Sequence, residues 1–194
     1  MSTVWAEWGT LTRFLESARV AFARERNLWH SLELADPEVV TITTTTGVRR
    51  YKVSLRNHLA AIDDEVTLYA SVLIHTYALA EDVACRHVGI GSRVAGGIES
   101  WGQRLLDARG RNWSGVLDGE AGAVEVAVVR NAFAHGTRMI DASAEARLAT
   151  AGSSPRTAGD SVTLTYEELR VYRDRLRSLL RTGGVELMAP ADPA

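Results

Sequence analysis

The sequence predicts a mainly α-helical, up-and-down bundle carrying one small β-hairpin, and three features predict it. Apolar residues recur at helical spacing through most of the chain, with arginine and glutamate between them. Two stretches, Leu68–Ala80 and Glu120–His135, are apolar on most sides, as helices at the centre of a bundle are. A single early segment, Val39–Val53, changes to β-branched, roughly alternating residues. A length of 194 residues and a hydrophobic content of 46% suit one folded domain of ordinary size. The reading places that domain over residues 1–183, with the hairpin inserted near 38–53 and a flexible tail over 184–194.

The first helix is expected from about Val4 to Leu32, burying a face with Phe14, Ala18, Ala21, Phe22 and Leu28. Pro37 ends that pattern. Val39–Thr46 and Val48–Val53 then read as two strands joined through Thr46-Gly47, and strand propensity accounts for the run of threonines. Ser54 is placed to cap a long helical stretch from Leu55 to about Val88, with Asp63-Asp64-Glu65 as a solvated break rather than a divalent-ion site. The apolar centre of that stretch belongs inside a bundle or in a dimer interface. His75, within it, reads as a hydrogen-bonded core histidine.

Gly89, Gly91, Gly96 and Gly97 mark a loop, and Ile98–Ala108 reads as an amphipathic helix around Trp101, Leu105 and Leu106. A turn through Trp113 leads into the second apolar helix, Glu120–His135. Acidic Glu120 near its start and Gly136 just past its end suit the electrostatics and capping of helix ends. A short helix over Thr137–Ala149, a loop from Gly152 to Gly159 and a brief strand over Ser161–Leu164 follow. Thr165-Tyr166-Glu167-Glu168 forms a capping box for a last helix reaching about Arg181.

Composition excludes several function classes. A net charge of −2 and an isoelectric point near 6.2 argue against a protein that coats DNA, though not against RNA as a transient substrate. The five arginines between Arg86 and Arg111 read as a solvated helix face, and Lys52 is the only lysine. Cys85 stands alone, so no internal disulfide or cysteine pair is available. His58 and His87 lack ligand-spaced partners, so no metal or cofactor is expected. Gly91, Gly96 and Gly97 do not make a phosphate-binding loop with a following Lys-Ser or Lys-Thr pair, and no nucleophile elbow is present. The five tryptophans are read as core or interface packing. The N-terminus has no basic stretch leading into an apolar core, and no apolar run is long enough for a bilayer; a cytoplasmic protein without a membrane partner is expected.

The greatest chemical specificity lies in Val129-Arg130-Asn131-Ala132-Phe133-Ala134-His135-Gly136, at the end of the second apolar helix. A guanidinium holds phosphate oxygens and stabilises charge building on them, while an imidazole moves protons near neutral pH. On a straight helix Asn131 and His135 share a face. Arg130 lies about 140° round the helix from His135 and roughly 7.5 Å along it. A long arginine side chain and a helix that stops at Gly136 are then needed to bring both groups to one phosphate, with Asn131 orienting the imidazole or contacting substrate backbone.

This segment resembles the HEPN family (higher eukaryotes and prokaryotes nucleotide-binding), whose mark is Arg, four to six residues, then His, often with a polar residue after the Arg. Here that is Arg130-Asn131-Ala132-Phe133-Ala134-His135, and the layout is similar from about Tyr69 to His135. Arg24 and His30 satisfy the bare spacing too, on what reads as an ordinary amphipathic helix.

The resemblance implies a metal-independent endoribonuclease acting as a homodimer, whose motif helices form one composite cleft across the two subunits. The 2′-OH would attack the adjacent phosphorus, with His135 as general base or acid and Arg130 stabilising the transition state. Glu81, with Asp82 as second choice, would be the acidic residue on an earlier helix that orients Arg130 or His135. The resemblance further implies an RNA substrate and a toxin or phage-defence role, with a possible cognate antitoxin or regulatory protein. The alternative is a non-catalytic HEPN-like dimeric interaction module, an adaptor or antitoxin component, with Arg130 in a salt bridge and His135 capping the helix.

Overall fold

The computed structural model describes residues 4–32, 39–91, 96–153 and 156–185. Over these the chain forms α1 (Val4–His30), β1 (Thr41–Thr46), β2 (Arg49–Ser54), α2 (Leu55–Asp63) and α3 (Glu65–His87). It continues through α4 (Ile98–Asp107), a 3-10 turn at Trp113–Gly115, α5 (Gly119–Ala134), α6 (Ala142–Ala151) and α7 (Tyr166–Thr182). The expected class, mainly helical with one antiparallel hairpin, is the observed one. Residues 186–194 of the expected tail lie outside the described residues, while Val185 is packed into the core at 5% exposure.

The centre of the bundle is α3. Leu68, Tyr69, Ala70, Val72, Leu73, Thr76, Tyr77, Ala80, Ala84 and Cys85 are all buried, and α1, α4, α5 and α7 pack around it. Water reaches a narrow stripe through Ser71, His75, Ala78 and Asp82, spaced four, three and four residues apart. His75 therefore departs from the expectation of a core histidine. It is exposed, and its Nδ1 lies 2.8 Å from the Ser71 carbonyl one turn earlier.

The long second helical stretch is two helices. Asp64 leaves helical geometry at φ −80° and ψ 67° and caps α3, its carboxylate accepting from the Thr67 N–H at 3.1 Å and the Thr67 hydroxyl at 2.6 Å. Its neighbours are engaged as well: Arg26 reaches Asp63 at 3.5 Å and Glu65 at 2.8 Å, so these carboxylates act as helix ends and ion pairs.

The buried face of α1 also differs from the expected one. Phe14 is 55% and Leu28 52% exposed, while Trp8 and Leu15 are 3% and 2% exposed, with Ala18 and Phe22 partly buried beside the core. The cause sits on α7, where Arg173 and Arg177 place their guanidinium groups 5.2 and 5.5 Å from the Trp8 ring and Arg181 lies 5.5 Å from Trp5. Arg173, itself 6% exposed, donates to the Trp8 carbonyl at 3.2 Å and to the Thr12 hydroxyl at 2.8 Å. Burial, and then repulsion from Arg177, pulls its pKa below the ordinary arginine value. This ladder rotates the inward stripe of α1 to Trp8, Leu15 and Phe22.

α6 starts at Ala142 rather than Thr137, because Asp141 caps it by accepting from the Ala144 N–H at 2.7 Å. The segment before it is not helical: Arg138 takes φ 49° and Met139 is bridged antiparallel to Ser161. The expected strand over Ser161–Leu164 reduces to that one bridge, while Val162 and Leu164 are buried. The capping box of α7 forms as expected at Thr165 and Glu168. Among the described residues no helix is long and apolar enough to cross a membrane.

Helix α7 is also bound to α5 through Glu125. Its carboxylate accepts from Arg175 at 2.8 Å and Arg156 at 3.1 Å, and the Tyr172 hydroxyl lies 3.2 Å away. Burial pushes the Glu125 carboxyl up, but the hydrogen bonds and charges of Arg175 and Arg156 outweigh it and hold the group below the usual carboxylate range. Removing it leaves two guanidinium groups short of their partner. Glu125→Ala is expected to cost about 3 kcal/mol, or roughly 6–12 °C in Tm for a domain of this size. The folded value is depressed, so the stabilisation is complete above the unfolded carboxylate value and lost as pH falls through the folded one. Urea unfolding of the wild type and Glu125→Gln near neutral and in acid checks this: the gap between them should close in acid.

Candidate functional site

Helix α5 carries the motif, and its surroundings follow from an apolar sequence. Gly122, Ala123, Val124, Val126, Ala127, Val128, Val129, Ala132 and Phe133 are buried, so α5 lies inside the bundle with polar groups only at its edges. It stops where Gly136 takes φ 72°, a conformation that side chains with Cβ adopt at a cost. The freed carbonyls are satisfied at once: Gly136 N–H donates to Phe133, and Arg138 N–H to Ala132, both at 3.0 Å. Past the turn, Arg138 donates to the Thr67 hydroxyl at 2.8 Å and lies 3.8 Å from Asp64. The motif end of α5 is thereby moored to the start of α3.

Arg130 leaves α5 toward α3. Its guanidinium lies 4.9 Å from the centre of the Tyr77 ring, and its Nη1 donates to the Asn131 carboxamide at 2.8 Å. Its Nε is buried and has no hydrogen-bond partner among the described residues. Burial pushes the Tyr77 hydroxyl up to about 12, so the ring beneath the guanidinium stays neutral. Around them opens a cleft of about 370 Å³, bounded by Tyr77 and Glu81 of α3, Gly96 and Gly97 in the loop before α4, Glu99, Arg130, Asn131 and Arg147.

His135 opens elsewhere. It caps α5, with its N–H donating to the Asn131 carbonyl at 3.0 Å, and its exposed side chain borders a second cleft of about 250 Å³. That cleft is shared with Asn131, Thr137, Met139, Asp141 and Arg147. Arg130 and His135 therefore do not line the same cleft of one chain. Their two clefts have Asn131 and Arg147 in common and meet there.

The expected residues are placed unequally by this geometry. Arg130, Asn131 and Glu81 come together, with His135 next door. Asn131 accepts from Arg130 with its carboxamide oxygen, while its NH2 group makes no hydrogen bond among the described residues. Asp82 points to solvent and pairs with Arg86 at 2.6 Å, one turn along the exposed stripe. Glu81 makes no hydrogen bond or ion pair among the described residues. Burial pushes its carboxyl above the ordinary value, against the opposing attraction of Arg130. Arg24 and His30 are both exposed on α1, as an ordinary amphipathic helix has them.

Sequence reasoning missed Arg147 and Glu99. Arg147 of α6 makes a two-pronged pair with Glu99 of α4, at 2.9 and 3.0 Å, and it stands where the two clefts meet. A side chain at Gly97 would press on the Glu99 carboxylate and make it shift against Arg147. Nothing local in the sequence marks two residues so far apart in the chain. With Glu99 offsetting Arg147, the balance of the Arg130 cleft depends on Glu81: ionised, it offsets Arg130, and protonated, it leaves one positive charge for an anion.

Among the described residues no group of three or more His, Cys, Asp or Glu side chains gathers as a metal site. Comparison with protein-family models, with curated proteins and with solved structures gives no match.

The raised carboxyl of Glu81 has a measurable consequence. Its folded value lies above the unfolded one, so the ionised form opposes folding and the penalty fades as pH falls through the raised value. Glu81→Gln is therefore expected to melt above the wild type under mildly alkaline conditions, with the two converging in acid. A wild-type Tm equal to or above the variant's throughout would show that Arg130 dominates the carboxylate instead.

Proposed function

We propose that this chain is a metal-independent endoribonuclease that cleaves RNA by attack of the ribose 2′-oxygen on the adjacent phosphorus, acting as a homodimer. The observation that carries the reading is Arg130: a guanidinium held by Tyr77 and Asn131 at an open polar cleft, with a single side-chain hydrogen bond among the described residues. Such a group is positioned in advance and has donors left for a ligand. The adjoining His135 is exposed at the helix end, where a proton carrier has access to substrate.

In the proposed reaction an imidazole takes the proton of the 2′-hydroxyl, the 2′-oxygen bonds to phosphorus, and the bond to the 5′-oxygen breaks. The leaving oxygen receives a proton, giving a 2′,3′-cyclic phosphate and a 5′-hydroxyl. One imidazole cannot stand on both sides of the phosphate at once. The homodimer answers this by presenting two copies of His135, one as base and one as acid, with Arg130 stabilising the extra charge on the non-bridging oxygens. The separate clefts of a single chain are consistent with a site completed by a second copy.

The seat of Arg130 on Tyr77 also suits the competing reading, a non-catalytic dimeric interaction module in which the arginine packs. The two readings part on mutation. For the enzyme, Arg130→Ala and His135→Ala each lower cleavage by about 10²–10⁴-fold while dimer and fold persist. The module instead loses dimer or Tm. Arg130→Lys keeps the charge and separates loss of packing from loss of the planar donor set.

A second prediction concerns the chemistry. Cleavage is expected to persist in EDTA, to leave a 2′,3′-cyclic phosphate, and to fail when the scissile nucleotide lacks its 2′-hydroxyl. Cutting of that deoxy substrate would end the proposed mechanism.

A further inference from the structure

We propose that the β1–β2 hairpin is a phosphate-backbone arm that holds single-stranded RNA beside the motif, an inference that rests on the RNA reading above for the identity of its polyanion. The hairpin is an unusual element for this chain. Residues 39–62 contain no Asp or Glu, yet they carry Arg49, Arg50, the single lysine Lys52 and Arg56, in a protein of net charge −2. Every residue of β2 from Arg49 to Val53 is exposed, and Tyr51 keeps 52% of its surface in water. Among the described residues Arg49, Arg50 and Lys52 form no ion pair.

Register divides these groups between two wet faces. Lys52 pairs with Thr43 and Arg50 with Thr45, so one face carries two cations among threonine hydroxyls. The other carries Arg49 and Tyr51, with Tyr51 opposite Thr44. Cations with hydroxyl donors and an aromatic ring are what a nucleic-acid strand uses: charge for its phosphates and a flat surface for a base. Pairing of two copies through β2 is disfavoured, because it would set arginine and lysine against their own kind.

Placement supports the same occupant. The Leu55 N–H donates to the Val40 carbonyl at 2.9 Å, fastening the hairpin base to the start of α2. α2 ends beside Asp64, and Asp64 and Thr67 receive Arg138, three residues after His135. One helix of nine residues, roughly 14 Å, thus separates the hairpin base from the mooring of the motif. A strand bound at the hairpin has α2 and the residues of β2 between Leu55 and the cations to span before the mooring beside the motif.

The test measures binding by anisotropy on the full chain, with a single-stranded RNA made uncleavable by 2′-O-methylation. The wild type is compared with Arg49→Ala/Arg50→Ala/Lys52→Ala, with the matching Arg49→Lys/Arg50→Lys variant, and with Tyr51→Ala. The triple variant is expected to weaken binding roughly 10- to 100-fold at about 0.1 M salt and to flatten the slope of log Kd against log salt by about 2. The lysine variant should keep the slope, and Tyr51→Ala should weaken binding without changing it. All variants should cleave a dinucleotide, too short to reach the hairpin, at the wild-type rate. An unchanged Kd and slope in the triple variant overturns the proposal, as does aggregation as its only consequence, which would make the charges mere protection of open strand edges. Hairpin-dependent binding to phosphatidylserine vesicles without RNA binding overturns it as well. Hairpin-dependent RNA binding by a chain that cuts no RNA sinks the nuclease reading and leaves the arm standing.

Discussion

Everything in this molecule is arranged around the need of α3 to bury almost its whole circumference. A helix with Leu, Val, Ala and Tyr on nearly every side is unstable in water until neighbours cover it, and four helices do so here. The coverage leaves one narrow stripe to solvent, through Ser71, His75, Ala78 and Asp82. It also sets the position of α5, which passes α3 with Arg130 over Tyr77 at one level and Arg138 against Thr67 at another. The chemistry-bearing groups thus take their places from a packing requirement.

Polar devices then fix the rotation that apolar burial leaves loose. Greasy surfaces are non-directional, so α1 could present several faces to the core. The stack of Arg173, Arg177 and Arg181 on Trp8 and Trp5 selects one of them. Glu125 holds α5 to α7 through Arg156 and Arg175, and the Arg147–Glu99 pair ties α6 to α4 beside the Arg130 cleft. Each joins residues distant in the chain, and each involves an arginine, whose planar donor fork serves two partners at once. A chain with 22 basic residues, of which only one is lysine, is well supplied for such work.

The candidate site shows where that organisation stops within one chain. Arg130 is held and aimed, His135 is free at a helix end, and the two clefts touch at Asn131 and Arg147 without merging. The geometric reason was already in the spacing: five residues on a helix put two side chains on different sides of it. The hydrogen bond to Asn131 and the seat over Tyr77 place the guanidinium in the cleft on the α3 side. A shared phosphate then calls for a partner subunit, which is why the proposed reaction is dimeric.

Much of the fold was legible because its signals are local. Ser54, Thr165-Glu168 and Gly136 announce helix ends by chemistry that acts within one turn, and the threonine run announces a strand. The motif was legible for the same reason, being contiguous. The inward face of α1, the exposure of His75, the carboxamide of Asn131 turning to Arg130, and the arrival of Arg147 and Glu99 at the site were not. Sequence by itself determined which segments become helices and most of their ends, since propensity and capping depend on near neighbours. Tertiary structure alone decided how each helix is rotated and which distant charges meet, since those depend on packing and ion pairing across the bundle.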